Sequence, residues 1–224
     1  MGLLDDWMDL RWRYKAFFPL IAAIPLISLA LRFQPPLRTS IAIPFLGTIN
    51  FFEYYYFIII PLIVTITSNT VNQLGGLNGL ETICPAIILT GLMVISGTHA
   101  IMLYVPLAVW LLLAILNFQG KIFVGNAGSF AIGITLAAFA IISDIKSVLL
   151  VSILPYVFNS VLILLTYFFY KSKAQVLFDG KKLSSNHRRS LVTLVTYRRS
   201  LTERQVVIII SLLVTASTLI ALLV

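Results

Sequence analysis

The sequence predicts an all-α fold: a polytopic membrane helix bundle of about seven transmembrane spans, with its working loops on the cytoplasmic side. Three observations predict it. First, 59% of the 224 residues are hydrophobic and 11% charged, with a mean hydropathy of +1.00. A soluble domain has no interior large enough to hide that much apolar surface. Second, apolar runs recur along the whole chain, at about 16–31, 51–67, 84–96, 99–117, 130–143, 148–170 and 206–224. Third, the charges between the runs sort by side. If the runs are spans, segments 1–15, 68–83, 118–129 and 171–205 share one face and hold 13 of the 16 Lys and Arg residues. The other face keeps Arg32, Arg38 and Lys146. Positive-inside bias makes the shared face cytoplasmic. The net charge of +8 therefore reports topology, and no nucleic-acid partner is expected.

The chain reads as a single integral membrane domain, 1–224, in which 171–205 is a basic cytoplasmic loop. Its first residues are acidic and no small-residue cleavage site follows, so no secretory signal is read there. Several runs fall short of the ~20 residues that cross a bilayer core and must recruit flanking residues. Pro19, Pro25, Pro61, Pro106 and Pro155 lie within runs, which requires neighbours to satisfy the carbonyls they free. The stretch 33–50, with QPP and IAIPFLG, reads as an external loop with a short extended piece. Tyr54, Tyr55 and Tyr56 then anchor the next run at an interface. No run carries an ionisable residue near its middle; Glu53 stands at an end and Asp144 outside. That pattern argues against an ion-coupled pump or channel. Cys84 is the only cysteine, so no internal disulfide forms.

The segment 68–83, SNTVNQLGGLNGLETI, is where the polar chemistry concentrates. Asn69 and Asn72 stand three apart and share a face if helical. Gly75, Gly76 and Gly79 permit a tight turn or a close approach to a ligand. Amide oxygens, free backbone N–H groups and little bulk suit a diphosphate with its metal; a polar hairpin capped by asparagines is the alternative. Asp5, Asp6 and Asp9 precede the first run, with Asp5 and Asp9 on one helical face. Such a cluster binds Mg²⁺ or takes a proton, or simply offsets a helix dipole. Lys15, at the membrane boundary, either snorkels or meets phosphate. Asn126, in FVGNAGS, either caps the run that follows, with Ser129 at the third helical position, or contributes to a site.

Asn69-x-x-Asn72-x-x-x-Gly76-x-Asn78-Gly79-x-Glu81 resembles the signature of the polyprenyl-phosphate N-acetylhexosamine-1-phosphate transferases, glycosyltransferase family 4. GLLDDWMDLRWRYK and IFVGNAGSFAIG look like that family's other motifs, in the right order. The likeness spans nearly the whole chain and tilts to the eukaryotic and archaeal branch, chiefly through LDDWMDLRWRYK. That branch transfers GlcNAc-1-phosphate from UDP-GlcNAc to dolichyl phosphate, releasing UMP, in the first step of N-glycan assembly. The resemblance implies Mg²⁺ as cofactor and UDP-GlcNAc, a polyprenyl (dolichyl) phosphate and membrane lipid as partners. It implies an archaeal cell membrane, or alternatively the endoplasmic reticulum, and is compatible with a homodimer.

Residue by residue, the resemblance implies that Asp5 and Asp6 are the family's paired aspartates and Lys15 its phosphate-binding lysine. Trp12 would lie near the sugar, and Phe123 would stack on uracil while Gly76 and Asn78 approach the base from the other loop. Asn72 and residue 126 would hold the metal, and Asn69 and Glu81 belong to the same substrate-binding signature. Two departures follow. The family carries aspartate at 126, where this chain has a neutral amide. Its arginine/histidine motif after the sixth run is replaced by KSKAQVLFDGKKL, leaving Lys171 and Lys173 as substitutes; His187, Arg188 and Arg189 are an alternative set at a different spacing. The family also has about ten spans, with the aspartates after the third, so three spans are expected to be missing before Asp5. A catalytically impaired or non-catalytic relative that binds nucleotide or lipid phosphate is the alternative function.

Overall fold

The computed structural model describes residues 2–8, 12–33, 36–43, 47–171 and 175–223, and the side chains of Trp12, Arg13 and Tyr170 also lie outside what it describes. Asp9 and Lys173 fall outside as well. A short helix α1 (Gly2–Met8) precedes the long α2 (Trp12–Arg32), which carries Pro19 and Pro25. The external stretch forms an antiparallel hairpin of β1 (Ser40–Ile43) and β2 (Gly47–Asn50), Ile41 opposite Ile49. A π-helical turn (Tyr55–Ile59) runs directly into α3 (Ile60–Leu74), with Pro61 as its second residue. Then come α4 (Leu80–Ile95), a 3-10 stretch (Gly97–Leu103), α5 (Tyr104–Phe118), α6 (Gly125–Ile142), α7 (Lys146–Ser152) and α8 (Leu154–Leu165) with a π-helical end (Thr166–Tyr170). The two-residue strands β3 (Leu177–Phe178) and β4 (Leu183–Ser184), the short α9 (Leu191–Val195) and α10 (Glu203–Ala221) complete the chain.

The bundle is all-α apart from these small hairpins. Among the described residues, five helical stretches are long and apolar enough to cross a membrane, or six if the bent α7–α8 pair is one span. The expected seven is not reached by that measure, because α4 has 16 residues and falls short. The run 148–170 is likewise not one straight helix: it bends by 55° between α7 and α8. Pro155 explains the break, since it cannot donate to the carbonyl four residues back, at Val151. That carbonyl accepts instead from Ser217 Oγ of α10 at 2.5 Å. The neighbour that the proline requires is thus present.

Packing is closest where residues are small. A Cβ added to Gly133 of α6 would stand 2.5 Å from Ser68 Cα of α3, and one on Gly91 of α4 would stand 2.3 Å from Thr218 Cγ2 of α10. Without a hydrophobic force between helices in lipid, such close backbone approach supplies the attraction. Val64, Ile88, Leu89, Leu136, Ala137, Val206, Ile210 and Val214 are buried between the helices. Phe17, Ile21 and Ile24 on α2, Leu112 and Ile115 on α5, and Leu212 and Leu219 on α10 stay exposed. An outer surface this apolar fits lipid and not water.

The chain's two ends of the bundle differ in chemistry. At one, Lys146, 3% exposed, is held by Asp144 Oδ1 and the Arg38 carbonyl, both at 2.6 Å, with its ammonium 4.8 Å from the Tyr55 ring. At the other, segments 1–15, 68–83, 118–129 and the start of α10 meet through direct hydrogen bonds. Those segments were assigned to one face by charge parity alone.

Candidate active site

The site begins at the end of α3. The helix runs on through Leu74, so Asn69 and Asn72 are helical residues one turn apart and point out of its last two turns. Asn69 Nδ2 donates to Thr65 O at 2.9 Å and to Ala16 O at 3.4 Å, tying α3 to α2 beside Lys15. Asn72 Nδ2 donates to Asn126 Oδ1 at 2.7 Å and to Ser129 Oγ at 2.9 Å. The Ser129 hydroxyl spends its own proton on Gly125 O at 3.1 Å, which leaves its oxygen to accept and fixes which way the Asn72 amide faces.

After α3 the backbone turns through Gly76 (φ +105°) and Gly79 (φ +107°), conformations that favour glycine. The N–H groups of this turn are not free, contrary to the sequence-based expectation. Gly76 N donates to Glu81 Oε1 at 2.9 Å, Asn78 N to Glu203 Oε1 at 2.7 Å and Gly79 N to Asn117 Oδ1 at 2.7 Å. Side-chain acceptors from α4, α10 and α5 have taken the places a diphosphate would need. The turn is therefore a pinned wall, and its backbone amides do not form a phosphate cradle.

The paired aspartates separate into two roles. Asp5 has a fully buried side chain and meets Lys15 Nζ at 2.8 Å; the Lys15 side chain is 26% exposed. Asp6 accepts from Asn126 N at 2.9 Å and Ala127 N at 3.1 Å, capping α6 from a different helix. Those are orphan donors of a first helical turn, where a carboxylate also opposes the helix dipole. Asn126 is thus inside α6 and does not cap it, which corrects that alternative. Gly125, at φ +66°, lets Asp6 approach: a Cβ there would stand 2.9 Å from Asp6 Oδ2. Gly2 presses α1 onto the same turn, its Cβ position 2.2 Å from Ala127 Cα.

Glu81 precedes the apolar run that starts at Cys84. Burial pushes its carboxyl above the usual range, the Gly76 and Gly125 amides pull it down, and the Asp6 charge adds to the rise. Phe123 presents an open ring, 79% exposed, beside Gly125. Lys171 stands exposed at the end of the π-helical turn in a left-handed conformation. His187, Arg188 and Arg189 line an open pocket of about 740 Å³ against Leu162, Leu165, Thr166 and Phe169 of the α8 end. Arg188 stacks on Tyr197 at 4.2 Å.

The structure thus joins Asp6, Asn72 and Asn126 directly, attaches Asp5 and Lys15 through α1, and places Gly76, Asn78, Glu81 and Phe123 around them. Sequence reasoning missed Asn117, Ser129, Asn159 and Glu203. Asn159, 1% exposed in α8, accepts from Leu191 N at 2.8 Å and donates to Gln73 O at 3.3 Å. A polar side chain within an apolar run was the available signal for Asn117 and Asn159; Ser129 and Glu203 carried none. For Mg²⁺ the fit is poor. No group of three or more His, Cys, Asp or Glu side chains able to hold a metal occurs among the described residues. Asn72 and Asn126 are neutral and bonded to each other, whereas Mg²⁺ takes carboxylate and phosphate oxygens.

The family model of glycosyl transferase family 4 matches residues 1–144, more than half of the chain and all three motif segments. The chain belongs to glycosyl transferase family 4. A protein of Saccharolobus solfataricus, provisionally named a UDP-N-acetylglucosamine–dolichyl-phosphate N-acetylglucosaminephosphotransferase, is 38% identical over 218 residues, 94% of this chain and 66% of its own length. A Sulfolobus acidocaldarius protein of the same provisional name is 36% identical over 170 residues, 72% of this chain and 50% of its own. The Schizosaccharomyces pombe protein of that name is 28% identical over 184 residues, 71% of this chain and 40% of its own. This family 4 chain therefore spans between 40% and 66% of the length of these relatives.

Proposed function

We propose that this chain transfers a sugar 1-phosphate from a UDP-sugar to a polyprenyl phosphate and releases UMP. UDP-GlcNAc and dolichyl phosphate are the pair in its relatives' names, and the step would open N-glycan assembly at the cytoplasmic face of an archaeal or endoplasmic reticulum membrane. The observation that carries the reading is the convergence of three motif segments through Asp6, Asn126 and Asn72 at one end of an apolar bundle. Chemically, an oxygen of the lipid phosphate attacks the β-phosphorus in line. A new P–O bond forms, the bond from β-phosphorus to the bridging oxygen breaks, and UMP carries away that electron pair.

Each residue then has a physical task. Lys15 is the less buried partner of its ion pair and meets phosphate, while the buried Asp5 holds its ammonium in place. Phe123 offers an open face for uracil opposite the pinned turn at Gly76 and Asn78. Asn69 and Glu81 hold that turn and the end of α3, and Asp6 holds α6 against them. Trp12 is assigned to the sugar and Lys171 and Lys173 to phosphate by resemblance. No step is routed through Mg²⁺, because the amide pair does not suit it.

That amide pair favours a second reading, in which the chain binds uridine nucleotide or lipid phosphate without turnover. UMP release from UDP-GlcNAc in liposomes containing dolichyl phosphate, with and without Mg²⁺, decides between the two. Sustained release supports the transferase; calorimetric binding of UMP or of dolichyl phosphate without release supports the second reading; the absence of release and of both bindings defeats each.

A further inference from the structure

Asn117 closes α5 and is 1% exposed, yet no catalytic or binding task above uses it. Its Oδ1 accepts from Gly79 N at 2.7 Å and from Thr82 Oγ1 at 3.2 Å, while its Nδ2 donates to Ile122 O at 3.0 Å. One side chain thus reaches two loops that enter the site from different helix pairs. The first is the 76–79 turn between α3 and α4. The second is the 119–123 turn between α5 and α6, which delivers Phe123. We propose that Asn117 is a positioning residue that holds these two turns at one spacing and so sets the width of the slot between them.

The surroundings leave the first turn little other freedom. Gly79 is fitted so closely that a Cβ would stand 2.8 Å from the Phe118 ring and 3.0 Å from Val207 Cγ1. Asn78 N is held independently by Glu203 at 2.7 Å. The second turn is closed onto the end of α5 by Gly120 N to Asn117 O at 2.8 Å and Lys121 N to Leu116 O at 3.0 Å, and Phe123 beyond it is largely exposed. Two side chains tie it to the first turn: Asn117, whose Nδ2 holds the Ile122 carbonyl, and Glu81, which takes the Gly76 and Gly125 amides. A side-chain amide is needed here because it presents a donor and an acceptor on one rigid plane. Aspartate keeps the acceptor and loses the donor; leucine loses both.

What the slot takes rests on the uridine reading above, so the test separates the two. The full chain in detergent is compared with Asn117→Asp and Asn117→Leu by hydrogen exchange of peptides covering 76–83 and 119–124 and by calorimetry with UMP. Asn117→Asp should accelerate exchange at 119–124 and leave 76–83 near its original rate, while UMP affinity falls by about tenfold, the loss of one buried bond. Asn117→Leu should accelerate both peptides and weaken UMP further. Unchanged UMP affinity in Asn117→Asp despite looser exchange would overturn the proposal, as would unchanged exchange. Faster exchange spread over the whole bundle would also overturn it, since that marks a general structural role. If the leucine variant does not fold, the near-isosteric aspartate variant decides alone. If the unmodified chain does not bind UMP, the uridine reading fails, and the two exchange rates decide whether Asn117 couples the turns.

Discussion

Asn126→Asp tests the site most directly, because the substitution changes charge at nearly constant shape. In the present structure Asn126 Oδ1 accepts the Asn72 amide at 2.7 Å, and a carboxylate keeps that bond. A charged acceptor strengthens such a hydrogen bond by about 1 kcal/mol. The first turn of α6 adds roughly 0.3–1 kcal/mol for a negative charge. Against this stands Asp6, bonded to the backbone of the same residue. At a separation on the order of 6 Å, two carboxylates would repel by ~3 kcal/mol at an effective dielectric of 20. Without metal the substitution should therefore destabilise by about 1–2 kcal/mol. Mg²⁺ reverses the balance, because the repulsion becomes a divalent site and the cation gains a full charge. Even after desolvation, a gain of about 1.4–3 kcal/mol, ten- to hundredfold in affinity, is a modest share of the gross attraction.

The assay is thermal unfolding in detergent across a Mg²⁺ series, with calorimetry alongside. Saturation at 100 times Kd adds about 2.7 kcal/mol, and each kcal/mol is worth roughly 2–4 °C for a chain of this size. The unmodified chain should show little Mg²⁺ response; Asn126→Asp should show a rise of several degrees and faster UMP release. Strong Mg²⁺ stabilisation of the unmodified chain, equal to that of Asn126→Asp, would refute the argument that the amide pair is a poor ligand.

Other outcomes follow from the same geometry. Phe123→Ala should weaken UMP by about 1–3 kcal/mol, the value of a base stacked on an aromatic ring, with the melting temperature unmoved because the ring is 79% exposed. Lys15→Met removes the ammonium 2.8 Å from the buried Asp5 carboxylate and should lower stability by about 1.5–3 kcal/mol, the value of one bond to a charged group, and Lys15→Met with Asp5→Asn should recover part of that in thermal unfolding. Ser217→Ala strips the Val151 carbonyl of its donor at the proline break and should cost about 1–3 kcal/mol, read by thermal unfolding, with UMP affinity unchanged.

Much of this protein was legible in one dimension, for reasons that are local. Apolar run length and the sidedness of Lys and Arg are properties of the chain against a bilayer, so class, helicity and the common face of the motif segments could be read before any fold. The residues at 5, 6, 72, 78 and 126 were singled out by the motifs' resemblance to the family, while their local pattern left capping and dipole roles open. Which partner each one takes was decided only in three dimensions. Glu203 lies 125 residues from Asn78, and Asp6 120 residues from Asn126. No spacing rule connects such positions, because a hydrogen bond depends on distances of about 3 Å that only the packing of α1, α3, α5, α6 and α10 sets. The glycine turn offered open N–H groups when read along the chain, and the fold filled them with carboxylate and amide oxygens from three other helices. Gly79 is buried and its N–H must be paired; for all three donors tertiary structure chose acceptors from within the protein.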